Sequence, residues 1–419
     1  MRTNDSELPT WFLLFFCFFP IVDVINGWIL SIPKNIPFGI LYRMLFIFAC
    51  LLMLSGKNKI DSRQLFHLLM INTTFFVMIC LFQAFYFQYS LALLTDEFSA
   101  ITKYLLFFLV SLVFVEYPPS IVQSTKMLIF VNTGFSLGLI IPYLLKIGNH
   151  TYSNSAAGYK GFYFATNDIS YSFIMLVTLL IFQLIDNYTE QRTKSQNILW
   201  VSLGADMFCL FIIGTKSGLA YILLMSLYLF FEIGVRNRYI SYQLKFLTIS
   251  STLIFILLIL LGGYKIIIEQ LSGVITRITY FYYLYDGNLL KVLSSSRTIF
   301  LANAVDRFLA FPNNHWILFF GFGVINRMLL FSRDGYIEMD FFDTIFSYGV
   351  IGTVVFSYTL KSVYSLVKGH SSRLISRNTI PFIVSLFYAF FSGHVFYSGM
   401  SAMMFGWVIS RDINRIGAQ

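Results

Sequence analysis

With 57% of its 419 residues hydrophobic and only 12% charged, the chain has too little polar surface to coat a water-soluble globule. A mean hydropathy of +0.73, with 48 Phe and 26 Tyr, suits side chains that face lipid and headgroups. The net charge of +9 would suggest nucleic acid in a soluble protein, but here the cations collect at the ends of apolar runs; they read as a topology signal, with no nucleic acid expected as a partner.

A helix needs about 20 mostly apolar residues to cross a bilayer, because every backbone donor and acceptor must be satisfied internally once water is gone. In chain order, runs of this kind are expected as spans at Trp11–Leu30, Phe38–Leu54, Leu65–Phe85, Phe98–Val115, Ile121–Leu145, Ile169–Ile185, Ile198–Ile213, Leu219–Ile233 and Leu244–Gly262. After a long interruption they resume at Phe341–Leu360, Ile380–Phe396 and the shorter Met400–Ile409. The fold class expected is therefore an all-α integral membrane protein with about 12 transmembrane helices. The first run follows Arg2, Asp5 and Glu7, exceeds a signal-peptide core and lacks an A-x-A-like site, so it is read as a retained helix.

Orientation follows from positive residues in the short loops, which are retained in the cytoplasm. A cytoplasmic N-terminus puts Lys57, Lys59, Arg63, Arg192, Lys194, Arg236, Arg238, Lys361, Lys368, Arg373, Arg377, Arg411 and Arg415 on the same side. A short loop with Asp96 and Glu97 then falls outside, as do the segments Lys146–Asp168 and Tyr264–Asp340. The chain thus divides into residues 1–263 with spans 1 to 9 and an external loop near 146–168, residues 264–340 as a large external loop between spans 9 and 10, and residues 341–419 with spans 10 to 12 and a cytoplasmic C-terminus. The large loop carries apolar residues throughout and should fold; Arg297–Phe311, with Ile299, Phe300, Ala304, Phe308 and Phe311 at helical spacing, is expected to be a helix against the membrane surface. No internal repeat of solenoid length is present.

Chemistry-bearing residues concentrate in and beside that loop. Arg277, Arg297, Arg307, Arg327 and Arg333 stand with Glu338, Asp340 and Asp343, and from Tyr264 through Asp343 seven Lys or Arg balance seven Asp or Glu. Such balance suits ion pairs or a site needing both signs; surface charges solvating a loop are the plain alternative. An Arg near the membrane suits a lipid diphosphate, because its planar fork binds phosphate oxygens in pairs and keeps its proton. Arg297, preceded by Ser294–Ser296, is the leading candidate. Glu338 and Asp340 sit where the loop re-enters the bilayer, a partly desolvated place that could raise a carboxylate toward general-base range. Asp23, Arg43 and Asp206 are charges within spans, expected to face a cavity. Lys216, in Gly214-Thr215-Lys216-Ser217-Gly218, lies in a short turn; GTKSG lacks the GxxxxGK[ST] spacing of a nucleotide loop. Cys17, Cys50, Cys80 and Cys209 lie in apolar runs without CxxC pairing and read as small buried hydrophobes; His315 and His394 have no metal-ligand spacing, and GxSxG is absent. No metal or cofactor is expected.

In its topology and four local features the whole chain resembles the O-antigen polymerases (Wzy type), within the wider group of O-antigen ligase-like membrane proteins. Phe164-Ala165-Thr166-Asn167-Asp168-Ile169-Ser170 is similar to the Asn-containing start of a middle span, Gly214-Thr215-Lys216-Ser217 to a T-[RK]-[ST] turn, and Ser296-Arg297 to an S-x-R element. The fourth is Gly321-Phe322-Gly323 followed by Glu338-Met339-Asp340-Phe341-Phe342-Asp343 and Tyr348-Gly349-Val350-Ile351-Gly352. Related ligases commonly carry a His-Asn pair where Glu338-Met339-Asp340 stands, and polymerases an acidic version. Lys216 departs from the more usual Arg.

The resemblance implies metal-independent glycosyl transfer at the periplasmic face of the bacterial inner membrane, with a multi-pass chain whose termini are both cytoplasmic. The substrate would be an undecaprenyl-diphosphate-linked oligosaccharide in a setting of membrane lipids, and the pathway partners a chain-length regulator and a flippase. It assigns Arg297 to the leaving diphosphate and Glu338 or Asp340 to the acceptor proton. Lys216, Arg277, Asn167, Arg307 and Arg327 are carried over as substrate-binding groups. Two alternatives are a ligase joining polysaccharide to lipid A core, and a flippase; the absence of two related halves and the long folded loop weigh against the flippase.

Overall fold

Apolar runs longer than about 18 residues, bounded by polar caps, set the architecture. The computed structural model describes residues 8–32, 38–57, 60–151, 158–190, 195–232, 272, 275–276, 278–288, 297–311, 314–332, 336–369 and 375–417. Its first helices are α1 (Thr10–Cys17), α2 (Phe19–Leu30), α3 (Phe38–Ser55), α4 (Arg63–Tyr86), α5 (Leu91–Glu116) and α6 (Ile121–Leu145). A two-stranded antiparallel ribbon, β1 (Asn149–His150) with β2 (Tyr159–Gly161), precedes α7 (Thr166–Thr189), α8 (Gln196–Ile213) and α9 (Lys216–Phe230). After the expected ninth span, which lies outside the described residues, come α10 (Arg297–Ala310), α11 (Asn314–Phe320), α12 (Val324–Phe331), α13 (Asp340–Lys368), α14 (Ile380–Phe391) and α15 (Gly399–Gly417).

Among the described residues seven helices are long and apolar enough to cross a membrane, namely α3 to α8 and α13. An eighth span follows if α1 and α2, bent by 40°, are taken as one. The bend falls at Phe18, with Pro20 at the start of α2, so the first run is a broken helix rather than a continuous one. Helix α9 and helix α14 are apolar but shorter. The chain is thus a multi-pass, essentially all-α membrane protein.

Several expected boundaries move. Helix α5 starts at Leu91, so Asp96 and Glu97 lie within a helix, not in a loop; Glu97 is buried because its carboxylate serves another segment. Helix α14 stops at Phe391, short of the expected Phe396, and α15 runs on past Ile409 to Gly417. Lys216 is the first residue of α9, not a loop residue. The expected helix over 297–311 forms as α10, with Ala304 buried and Leu301 and Phe308 packed on Ile337, Met339 and Phe346. Its apolar face thus includes Leu301.

Residues at the helix ends explain why they hold. Ser90 accepts the Leu93 N–H at the start of α5, and Ser120 forms a reciprocal capping box with Gln123 at the start of α6. In the GTKSG turn Gly214 ends α8 with φ +67°, and Thr215 caps α9 by accepting the Gly218 N–H at 3.2 Å.

The chain forms two compact units. One comprises residues 1–12, 40–119 and 281–419; α5 packs along α15, where Gly406 lets the backbones approach and the Ser111 hydroxyl donates to the Gly406 carbonyl at 3.0 Å. Within it the Tyr104 hydroxyl and the Thr359 hydroxyl donate to Asn72 Oδ1. The other comprises residues 13–39 and 120–280, built around α7, buried along its central span and packed by α6, α8 and α9. There the Asp206 carboxylate accepts from the Asn132 amide and, at 3.0 Å, from the Ser136 hydroxyl, so this in-span charge is a polar fastener between α6 and α8. All four cysteines are buried and free, in keeping with their apolar runs.

Two helix breaks in the first unit lie on each other. Helix α13 is kinked at Gly349 (φ 66°, ψ −167°), and Gly321 and Gly323 carry φ of +71° and +86° between α11 and α12. The Phe322 and Gly323 N–H groups donate to the Phe346 and Ser347 carbonyls at 3.0 and 2.9 Å, and Gln83 Nε2 donates to the Phe320 and Ser347 carbonyls. A side chain on Gly321 would overlap the Ser347 carbonyl, and one on Gly349 the Phe319 carbonyl. Both positions therefore require glycine for backbone angle and for space. Gly321→Ala and Gly349→Ala are each expected to destabilise by about 1–3 kcal/mol or more. Thermal unfolding of detergent-purified protein checks this; unchanged melting for both would contradict the crossing.

Candidate active site

Residues 336–339, ahead of α13, and 392–398, between α14 and α15, leave helical geometry, and carboxylates hold both stretches. Asp343, in the first turn of α13, accepts the Ile337 and Met339 N–H groups at 3.1 and 3.0 Å. Its Oδ1 also pairs with Arg327 Nη2 at 2.7 Å, with both side chains buried. Asp340, 1% exposed, accepts the N–H groups of His394, Val395 and Phe396 at 2.6, 2.9 and 3.0 Å. Glu97 accepts those of Val324, Ile325 and Asn326 at 2.8–2.9 Å, closing the start of α12.

On this frame sits an ion pair drawn from distant sequence. Arg297, at the start of α10, donates from Nη2 to Glu338 Oε2 at 3.0 Å and to the Ser392 carbonyl at 3.4 Å. The Arg297 side chain is 12% exposed and that of Glu338 43%, so the pair opens on its acidic side. Arg297 Nε is buried without a hydrogen-bond partner among the described residues. Gly393 lies against the Glu338 carbonyl, where a side chain would collide. Beside it the Tyr336 hydroxyl and His394 Nδ1 are 3.1 Å apart. The Tyr397 hydroxyl meets the Thr344 hydroxyl at 2.7 Å; burial pushes its pKa up, so it stays protonated.

Two non-glycine residues here, Glu338 (φ +62°) and His394 (φ +64°), hold left-handed backbone. Such conformations persist only when surroundings over-determine them, and they gather at functional sites. The surroundings are visible: Asp343 and Gly393 on one side of Glu338, Asp340 on the backbone of His394.

The other candidates are placed as follows. Arg327 is buried and committed to Asp343, and Arg307 is exposed on α10. Arg277 lies outside the described residues, as does Arg333. Asn167 and Lys216 belong to the second unit, half-buried in the first turns of α7 and α9, and Ser170 there meets Thr215 at 3.3 Å. Asp340 is an anchor for residues 394–396 with both carboxylate oxygens engaged. Residue pattern alone does not bring Tyr336 and His394 together beside Glu338; the one available signal is Ser392-Gly393-His394 interrupting an apolar run.

These features define a multi-pass helical membrane protein with a half-buried cation and carboxylate paired at the end of a span. The family model described as O-antigen ligase like membrane protein matches residues 6–291, more than half of the chain. The chain belongs to that family. The match includes Asn167 and Lys216 and stops just before Arg297. No curated protein matches the chain.

Removing one member of a buried ion pair strands the other charge. Arg327→Met is expected to cost roughly 3–5 kcal/mol and to deplete folded protein from the membrane. Quantitative blotting of membranes with chemical denaturation of the purified variant measures it; wild-type stability would show that Asp343 is held by its N–H donors alone.

Proposed function

We propose that this chain is a polysaccharide polymerase, joining undecaprenyl-diphosphate-linked O-antigen repeat units at the periplasmic face of the inner membrane by metal-independent glycosyl transfer. The observation that carries the reading is the Arg297–Glu338 pair, in a chain whose family handles O-antigen and whose site bears the acidic sequence Glu338-Met339-Asp340. The reading brings with it about twelve spans, cytoplasmic termini, a periplasmic 264–340 segment, and a flippase and chain-length regulator as pathway partners.

In this mechanism the acceptor sugar's hydroxyl oxygen attacks the anomeric carbon of the donor. The carbon–oxygen bond to diphosphate breaks, and undecaprenyl diphosphate leaves with the electron pair. Arg297 stabilises that charge, its Nε, which has no hydrogen-bond partner among the described residues, adding a donor for a phosphate oxygen. Glu338 takes the hydroxyl proton. The two roles are coupled, because a diphosphate arriving at Arg297 competes with Glu338 for the guanidinium and releases the carboxylate as a base. Asp340 is unsuited to that role, since its oxygens already accept three N–H bonds. Lys216, Asn167, Arg277 and Arg307 are carried as further substrate-binding groups.

The family description favours one second reading, ligation of finished polysaccharide to lipid A core. A deletion strain separates the two: loss of a polymerase leaves core with a single repeat, and loss of a ligase leaves bare core. Complementing that strain with Arg297→Ala or Glu338→Gln is expected to lower chain extension by about a hundredfold or more, with protein still in the membrane. Lipopolysaccharide gels report it, and long chains persisting in both variants would remove the assignment.

A further inference from the structure

One diphosphate carries more negative charge than a single guanidinium offsets, and Arg297 is already shared with Glu338 and the Ser392 carbonyl. The same neighbourhood contains an imidazole that the mechanism above does not use. His394 follows Gly393, which abuts the Glu338 carbonyl; its ring meets Tyr336, two residues before Glu338, with ring centroids 5.2 Å apart. Its backbone is held by Asp340 at a left-handed φ of +64°. Three elements thus cooperate to hold one half-buried histidine in a conformation that most residues avoid.

We propose that His394 is a second contact for the lipid-linked diphosphate, donating a hydrogen bond from Nε2 to a phosphate oxygen. The inference rests on the polymerase reading of the same site. With the Tyr336 hydroxyl, 3.1 Å from Nδ1, taken as the donor of that contact, the imidazole proton is assigned to Nε2. Asp340 is a positioning residue: it fixes the backbone from which the ring projects. The ligand class is a polyprenyl diphosphate. As the glycosyl bond breaks and charge grows on the diphosphate, the Nε2–H bond strengthens together with the Arg297 contact.

The test measures binding of undecaprenyl diphosphate to the purified full-length protein, with melting temperature recorded for each variant. His394→Gly deletes the ring at a backbone angle that glycine adopts without strain. It should bind about tenfold more weakly or worse at unchanged melting temperature, the loss expected for a hydrogen bond to a charged group, with added imidazole restoring part of the affinity. Tyr336→Phe keeps ring packing but frees the tautomer, and should weaken binding severalfold. If Arg297→Ala loses affinity while His394→Gly and Tyr336→Phe bind as wild type, the histidine contact is overturned and the polymerase reading stands. If His394→Gly unfolds, Tyr336→Phe decides, and wild-type affinity there overturns the contact. If the wild-type protein does not bind undecaprenyl diphosphate at all, both readings fall.

Discussion

A helix that breaks inside an apolar protein releases backbone N–H and C=O groups that water cannot reach, and each unsatisfied group costs several kcal/mol. Among the described residues buried carboxylates meet that demand at several breaks. Glu97 accepts three N–H groups at the start of α12, Asp340 accepts three before α15, and Asp343 accepts two before α13. Glu116 does the same at the end of α5, accepting from Asp61, Ser62 and Lys57. A carboxylate suits the task because two oxygens can serve several donors from successive peptide units, and the partial positive charge of those donors compensates its own.

The crossing of Gly321-Phe322-Gly323 over the kink at Gly349 meets the same constraint without charge. Each break supplies partners for the other, and Gln83 bridges both through its amide N–H groups. Such mutual satisfaction requires backbones nearly in contact, which is why glycine stands at the points of closest approach. The geometry fixes where α11, α12 and α13 leave the crossing, and therefore where Glu338 and Asp340 stand relative to the start of α10.

Hydropathy makes the long helices legible, because an apolar run of that length matches the thickness of a bilayer and exceeds what a soluble core demands, and the apolar periodicity of 297–311 identifies α10. Charge is the less faithful guide. Two adjacent acids rarely enter a span, which points Asp96 and Glu97 to a loop, yet Glu97 answers to backbone groups 227 to 229 residues later in the chain. No local pattern encodes such a partnership. Asp340 is legible as an important acid but not as an anchor, for the same reason: its donors lie 54 to 56 residues further on. Arg297 with Glu338 is reached through family resemblance and charge content. The placement of His394 stays hidden because it depends on a left-handed backbone and on Tyr336, and neither is visible in residue spacing.

The division of labour among the acids has a chemical consequence. Asp340 and Asp343 are locked by N–H donors, and Asp343 also by Arg327, so neither can change partner without dismantling the frame. Glu338 differs in having a side chain that is 43% exposed and a single charged partner, Arg297. An ion pair of that kind is held weakly enough for a multiply charged ligand to displace one member, because solvent already screens the carboxylate. In the proposed mechanism, rigid acids beside one exchangeable acid give a site that stays formed while Glu338 is uncovered as the base, with the largely buried Arg297 holding its place during the exchange.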